Sequence, residues 1–98
     1  MKELCIHISD DPSQFLSIAQ EAQRVLGGEF REQLDGPDQS YWDLSSHGGI
    51  VTIHREHYLG VSLFCEAHPE SIQLFRRYAE ATGRLLPSWL AGNGNVDA

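Results

Sequence analysis

The chain has few of the features that carry chemistry in small proteins. Its two cysteines, Cys5 and Cys65, are too few for a disulfide framework and lack CxxC spacing. Both fall in stretches that read as strands, and buried free thiols in a reducing compartment are the expected state. There is no Gly-rich phosphate loop, no serine in a nucleophile-elbow context and no helical HExxH pair. The glycine pairs at 27–28 and 48–49 read as punctuation between elements. No apolar run is long enough to span a bilayer. Met1-Lys2-Glu3 leads into a short alternating run rather than a secretory signal, so a cytoplasmic location is expected.

Positive charge is also scarce. Seven Lys and Arg stand against fourteen Asp and Glu, a formal net charge of −7. That balance argues against nucleic acid, whose phosphates need a basic patch, and against anionic lipid. It favours solubility and, for a protein partner, a basic one. With 41% hydrophobic and 21% charged residues in 98, the chain has the composition of one ordinary globular domain. We expect a single domain over residues 1–91 and a disordered Gly/Asn-rich tail over 92–98.

What is present is hydrophobic periodicity. Leu4, Ile6 and Ile8 alternate with Cys5, His7 and Ser9, the pattern of a half-buried strand. Ser9-Asp10-Asp11-Pro12 offers capping side chains and a first-turn proline. Phe15, Ile18, Ala19, Ala22, Val25 and Leu26 then recur at helical spacing, ended by Gly27-Gly28. Glu29 to Leu34 reads as a second strand, with Phe30, Glu32 and Leu34 on one parity. Asp35-Gly36-Pro37-Asp38 is a turn. After the stretch from Ser40 to Ala67, His68-Pro69-Glu70 opens a second helix with Ile72, Phe75, Tyr78, Ala79 and Thr82 as its buried stripe and Gly83 as cap. Residues 84–90, around Trp89, are apolar enough to pack back on the core.

Ser40 to Ala67 organises the rest, as three alternating runs joined by two tight turns. A two-residue turn at His47-Gly48 sets Leu44 opposite Val51 and Trp42 opposite Ile53. A three-residue loop ending at Gly60 sets Val51, Ile53 and Arg55 opposite Ala67, Cys65 and Leu63. Both turns place apolar residues on one face, as a register must. Arg55, at the end of that face, should lay its stem on Leu63 and pair with a carboxylate. The fold class is therefore α+β, a two-layer sandwich in the order β-α-β-β-β-β-α. It has a mainly antiparallel sheet of about five strands. Both helices lie on one face of it, and the position of the first two strands is left open.

The same register defines the other, open face. Tyr41, His54 and Phe64 should align across three strands, flanked by a row of Asp43, Thr52 and Glu66 and a third row of Glu56 and Ser62. Aromatics ringed by carboxylates on an uncovered sheet mark a binding surface, although cross-strand aromatic pairs also stabilise half-exposed sheets without further purpose. His54-Arg55-Glu56-His57 invites a rival reading as a metal or acid–base site. In a strand, however, His54 and Glu56 share a face while His57 points away, a poor geometry for ligation. We therefore expect neither metal nor cofactor, and a non-enzymatic binding or regulatory domain. The partner would be a protein or, through the open face, a second copy.

The arrangement W-D-x-x-x-x-G-G-x-x-x-x-H-x-E-H-Y-L-G-V-x-x-F, Trp42 through Phe64, resembles small bacterial α+β domains of unknown function. It is similar, more loosely, to immunity proteins of bacterial toxin systems, which are often short, acidic and single-domain. The likeness covers about a quarter of the chain and defines no catalytic residue. It implies a bacterial cytoplasmic protein and, by the looser likeness, an immunity-like role.

Overall fold

The computed structural model describes residues 3–84. Strand β1 (Glu3–Ser9) leads through a 3-10 turn (Pro12–Gln14) into helix α1 (Phe15–Leu26). Strands β2 (Glu29–Asp35), β3 (Gln39–Ser46), β4 (Gly49–Glu56) and β5 (Gly60–Glu66) follow, and helix α2 (Pro69–Thr82) comes after them. The five strands form one sheet in the order β1-β5-β4-β3-β2, antiparallel throughout. The expected element order and layer class hold. β1 and β2, whose places were open, are the two edges among the described residues. The segment around Trp89 and the tail over 92–98 lie outside the described residues. Among those residues, no helix is long and apolar enough to cross a membrane.

The helices cover one face because their apolar stripes match it. Asp11 caps the 3-10 turn by accepting from Ser13 N–H at 2.9 Å, with Pro12 at the first position, and α1 then buries Phe15, Ile18, Ala19, Ala22 and Leu26. α2 buries Ser71, Leu74, Phe75, Tyr78 and Ala79, and Gly83 ends it in the left-handed conformation. The expected α2 stripe is thus corrected. Ser71 and Leu74 take the inward positions given to Ile72 and Thr82, which are only half-buried. Opposite them, Leu4, Ile6, Leu44, Val51, Ile53, Val61 and Leu63 are buried on the sheet. Each such aliphatic contributes about 1.5–3 kcal/mol on burial.

The two helices are joined by Tyr78, whose hydroxyl donates to Glu21 Oε1 at 2.6 Å. Burial first, and that carboxylate second, push the Tyr78 phenol up to about 12. Arg84 approaches both, 3.7 Å from Glu21 and over the Tyr78 ring.

The first hairpin has the expected register, Trp42 with Ile53 and Leu44 with Val51. Its turn residues, His47 and Gly48, both have positive φ, at 48° and 82°. The second hairpin differs. The loop is His57-Tyr58-Leu59, so Glu56 pairs Gly60, Arg55 pairs Val61 and Ile53 pairs Leu63. Moving a three-residue loop by one position slips the register by two, which keeps every side chain on its expected face. Gly60 explains the choice. It has φ +101°, and a Cβ there would overlap the Ser9 carbonyl oxygen, so only glycine fits where β1 passes. Arg55 consequently meets Val61 rather than Leu63. It donates to Ser40 Oγ and to the Gly36 carbonyl, at 3.0 Å from Nη2 to each, and among the described residues no carboxylate pairs with it.

β2 departs further. A bulge between Phe30 and Glu32 reverses its alternation. Phe30 turns inward and meets Trp42 edge-on at 5.3 Å, while Glu32 and Leu34 turn to the open face. Trp42 itself is half-buried, held between Phe15 and Phe30, and donates from Nε1 to Asp35 at 3.0 Å.

Candidate functional site

The candidate site is the face of the sheet turned away from the helices. The pairings read across the strands give its rows. Leu34, Tyr41, His54, Ser62 and His7 lie in one line, and Asp43, Thr52, Phe64 and Cys5 in the next. Glu66 and Glu3 pair beyond Phe64, and Glu56 sits at the opposite end beside Gln39 and Gly60. All eight expected site residues are on this face. The two-residue slip of β5 moves Ser62 opposite His54 and Phe64 opposite Thr52. Further positions were not foreseen, among them Glu3 and Glu32, which come with the residues named next. Leu34 arrives through the β2 bulge, and Cys5 and His7 arrive because β1 pairs with β5.

The aromatic band survives the slip because rings reach diagonally. Tyr41 stacks on His54 with centroids 4.4 Å apart and planes at 15°. His54 meets Phe64 at 5.2 Å, tilted by 31°. Gln39 Oε1 receives the Tyr41 hydroxyl and lies 3.4 Å from His54 Nε2, which fixes both rings from one side. Desolvation against these neighbours lowers the His54 pKa, and the nearby Glu56 carboxylate opposes that shift. In the second row, Thr52 donates to Asp43 Oδ1 at 2.6 Å, which orients the carboxylate. Tyr41 is 39% exposed and Leu34 59%. Around the band, Glu3, Glu32, Asp43, Glu56 and Glu66 bring negative charge, and β1, β3, β4 and β5 present no Lys or Arg on this face.

Two hollows border the band. One, of 510 Å³, lies along the β2–β3 turn from Leu34 past Pro37 to Tyr41. The other, of 240 Å³, lies at the far end between Asp43, Phe64, Glu66 and the start of α2.

The rival chemistry finds less support. The ring partner of His54 is Gln39, and Glu56 acts on it only through its charge. Among the described residues, no three His, Cys, Asp or Glu converge to hold a metal. A serine–histidine–glutamate chain that sequence reading overlooked does exist at the start of α2. His68 Nε2 is 3.2 Å from Ser71 Oγ, and His68 Nδ1 is 3.3 Å from Glu70 Oε1. Its serine cannot act as a nucleophile. Ser71 is fully buried, and its hydroxyl accepts from Ile50 N–H and donates to Ile50 O, both at 3.2 Å. That pair of bonds fastens the first turn of α2 to the first residues of β4.

Of the two thiols, Cys65 is buried as expected, but Cys5 is exposed on the open face, which corrects the expectation that both are enclosed. Partial burial still raises the Cys5 thiol, chiefly by desolvation. Burial pushes Cys65 up to about 12.

No protein-family model, curated protein or solved structure matches the chain.

Proposed function

We propose that this chain is a non-enzymatic protein-binding or regulatory domain that holds a basic partner on the open face of its sheet. The observation that carries the reading is the composition of that face. A connected band of Leu34, Tyr41, His54 and Phe64 lies among five carboxylates, and four of the five strands present no Lys or Arg on this face. Ordered rings with fixed rotamers supply contact area at low entropic cost, and a rim of one sign steers and selects the partner. An arginine-bearing surface suits both parts, since guanidinium groups pair with carboxylates and stack on rings. The same charge counts against a homodimer made face to face, because it would oppose two acidic rims. The likeness of Trp42 through Phe64 to small bacterial domains, and loosely to immunity proteins, supports a bacterial cytoplasmic setting and a partner that is held rather than transformed.

The test begins with tagged chain in its host and continues with calorimetry on the purified partner. Tyr41→Ala and Asp43→Lys should each weaken binding by roughly tenfold or more, as loss of a central aromatic or a rim charge does. Added salt should weaken the wild-type complex. Binding that is indifferent to both substitutions would overturn the reading. So would turnover of a small molecule lost on His54→Ala.

A further inference from the structure

The two edges of the sheet are built differently. β2 carries a bulge within its ladder, and all its side chains except Phe30 are exposed, Glu29, Arg31, Glu32 and Asp35 among them. A bulge and exposed charges are the usual means of keeping an edge from pairing. β1 has no bulge from Glu3 to His7 and carries a single carboxylate, Glu3. It pairs residue for residue with β5 from Glu3 to His7, alternates exposed and buried side chains, and has no strand on its outer side among the described residues. Its irregularity comes only between His7 and Ser9.

We propose that β1 is an interface between two copies of this chain, pairing antiparallel with its own counterpart about a two-fold axis at Cys5. The register follows from the strand itself. A two-fold axis at Cys5 pairs all five residues of the described regular run Glu3–His7 with their counterparts, and a two-fold contact is self-complementary. This register places Leu4 opposite Ile6 of the second copy, both on the helix-covered face, and apolar meets apolar as register requires. It places Glu3 opposite His7 of the second copy, an acid facing an imidazole, and symmetry makes that pair twice. Glu3 gains most from this, because its partner within the chain is Glu66, a like charge directly across the ladder. Cys5 would face Cys5 of the second copy on the open side. The two sheets would then run on as one, joining the two open faces edge to edge. This inference is independent of what the open face binds.

Sedimentation velocity over a concentration series tests it, beside mild oxidation with copper–phenanthroline. The expected result is a concentration-dependent dimer in the wild type and a monomer in Cys5→Lys, which sets two ammonium groups against each other. Because Cys5 is exposed, that variant should keep the wild-type circular dichroism. His7→Glu should also weaken the dimer by opposing Glu3, and adding Glu3→Lys to it should restore the dimer. Oxidation should take two electrons and two protons from the paired thiols and yield a disulfide-linked dimer through Cys5, absent from Cys5→Ser. A wild type that stays monomeric throughout would overturn the proposal. A dimer that survives Cys5→Lys, or one lost in Tyr41→Ala but kept in Cys5→Lys, would overturn it equally.

Discussion

Tyr41 and Trp42 are adjacent in sequence and point to opposite faces of β3, so truncating each reads one face alone. Trp42→Ala removes an indole held edge-on by Phe15 at 5.1 Å and by Phe30 at 5.3 Å. It also removes the Nε1 donor to Asp35. Truncating a fully buried tryptophan costs about 3–5 kcal/mol, and each aromatic pair contributes about 0.5–1.5. Trp42 is only half-buried, which lowers the expected cost to roughly 2–4 kcal/mol. That remains a large part of the ~5–15 kcal/mol that stabilises a domain. Tyr41→Ala removes a stacked contact with His54 and a bond to Gln39 from a side chain that is 39% exposed. Its cost should be about 1 kcal/mol or less, the range of a cross-strand pair. Urea unfolding of both variants, with unchanged slope, measures the difference. Equal losses would mean that the Tyr41 face is covered, and the functional reading built on its exposure would fail.

Three further outcomes follow from named contacts. In the native state Cys5 should react with a thiol reagent much faster than Cys65, and peptide mapping that finds equal rates would invert the assigned faces. His54 has a lowered pKa, so the folded state disfavours its proton while the unfolded chain takes it up near the ordinary value of 6.5. Its contribution to stability is therefore intact above that pH and shrinks as pH falls toward the folded-state value. His54→Phe should flatten this part of the urea-midpoint profile, and an unchanged slope would assign the dependence to another group. Gly60→Ala should destabilise by several kcal/mol, of order 2–4, since φ +101° and the Ser9 carbonyl both exclude a side chain. A loss below about 0.5 kcal/mol by thermal or urea unfolding would mean that β1 does not pass the β4–β5 turn so closely.

Much of the fold was legible because period and turn chemistry are local signals. The helical spacing from Phe15 to Leu26 and the His47-Gly48 turn needed nothing beyond adjacent residues. The open face was legible for a related reason. A slip of two in β5 leaves parity intact, so Ser62 and Phe64 stayed on their side although their neighbours changed. What parity cannot reveal is a bulge. Phe30, Glu32 and Leu34 share one parity in the sequence, and only the irregularity near Arg31 sends Phe30 to the core and Leu34 to the open face. The polar Glu32 within an apolar alternation was the sole local trace of it. Cys5 and His7 were missed for a non-local reason, since β1 joins β5 across most of the chain and no spacing encodes that pairing. Gly60 was read as a turn glycine, whereas its placement also depends on the distant Ser9 backbone.

Site-specific photo-crosslinking in the host shows whether the open face is the working surface. A benzophenone side chain placed at Tyr41 reports the band, and one at Arg77, exposed on α2, reports the opposite layer. One discrete adduct with a basic protein is expected from position 41, reduced by added salt, and none from position 77. An adduct from position 77 with none from position 41 would contradict this assignment.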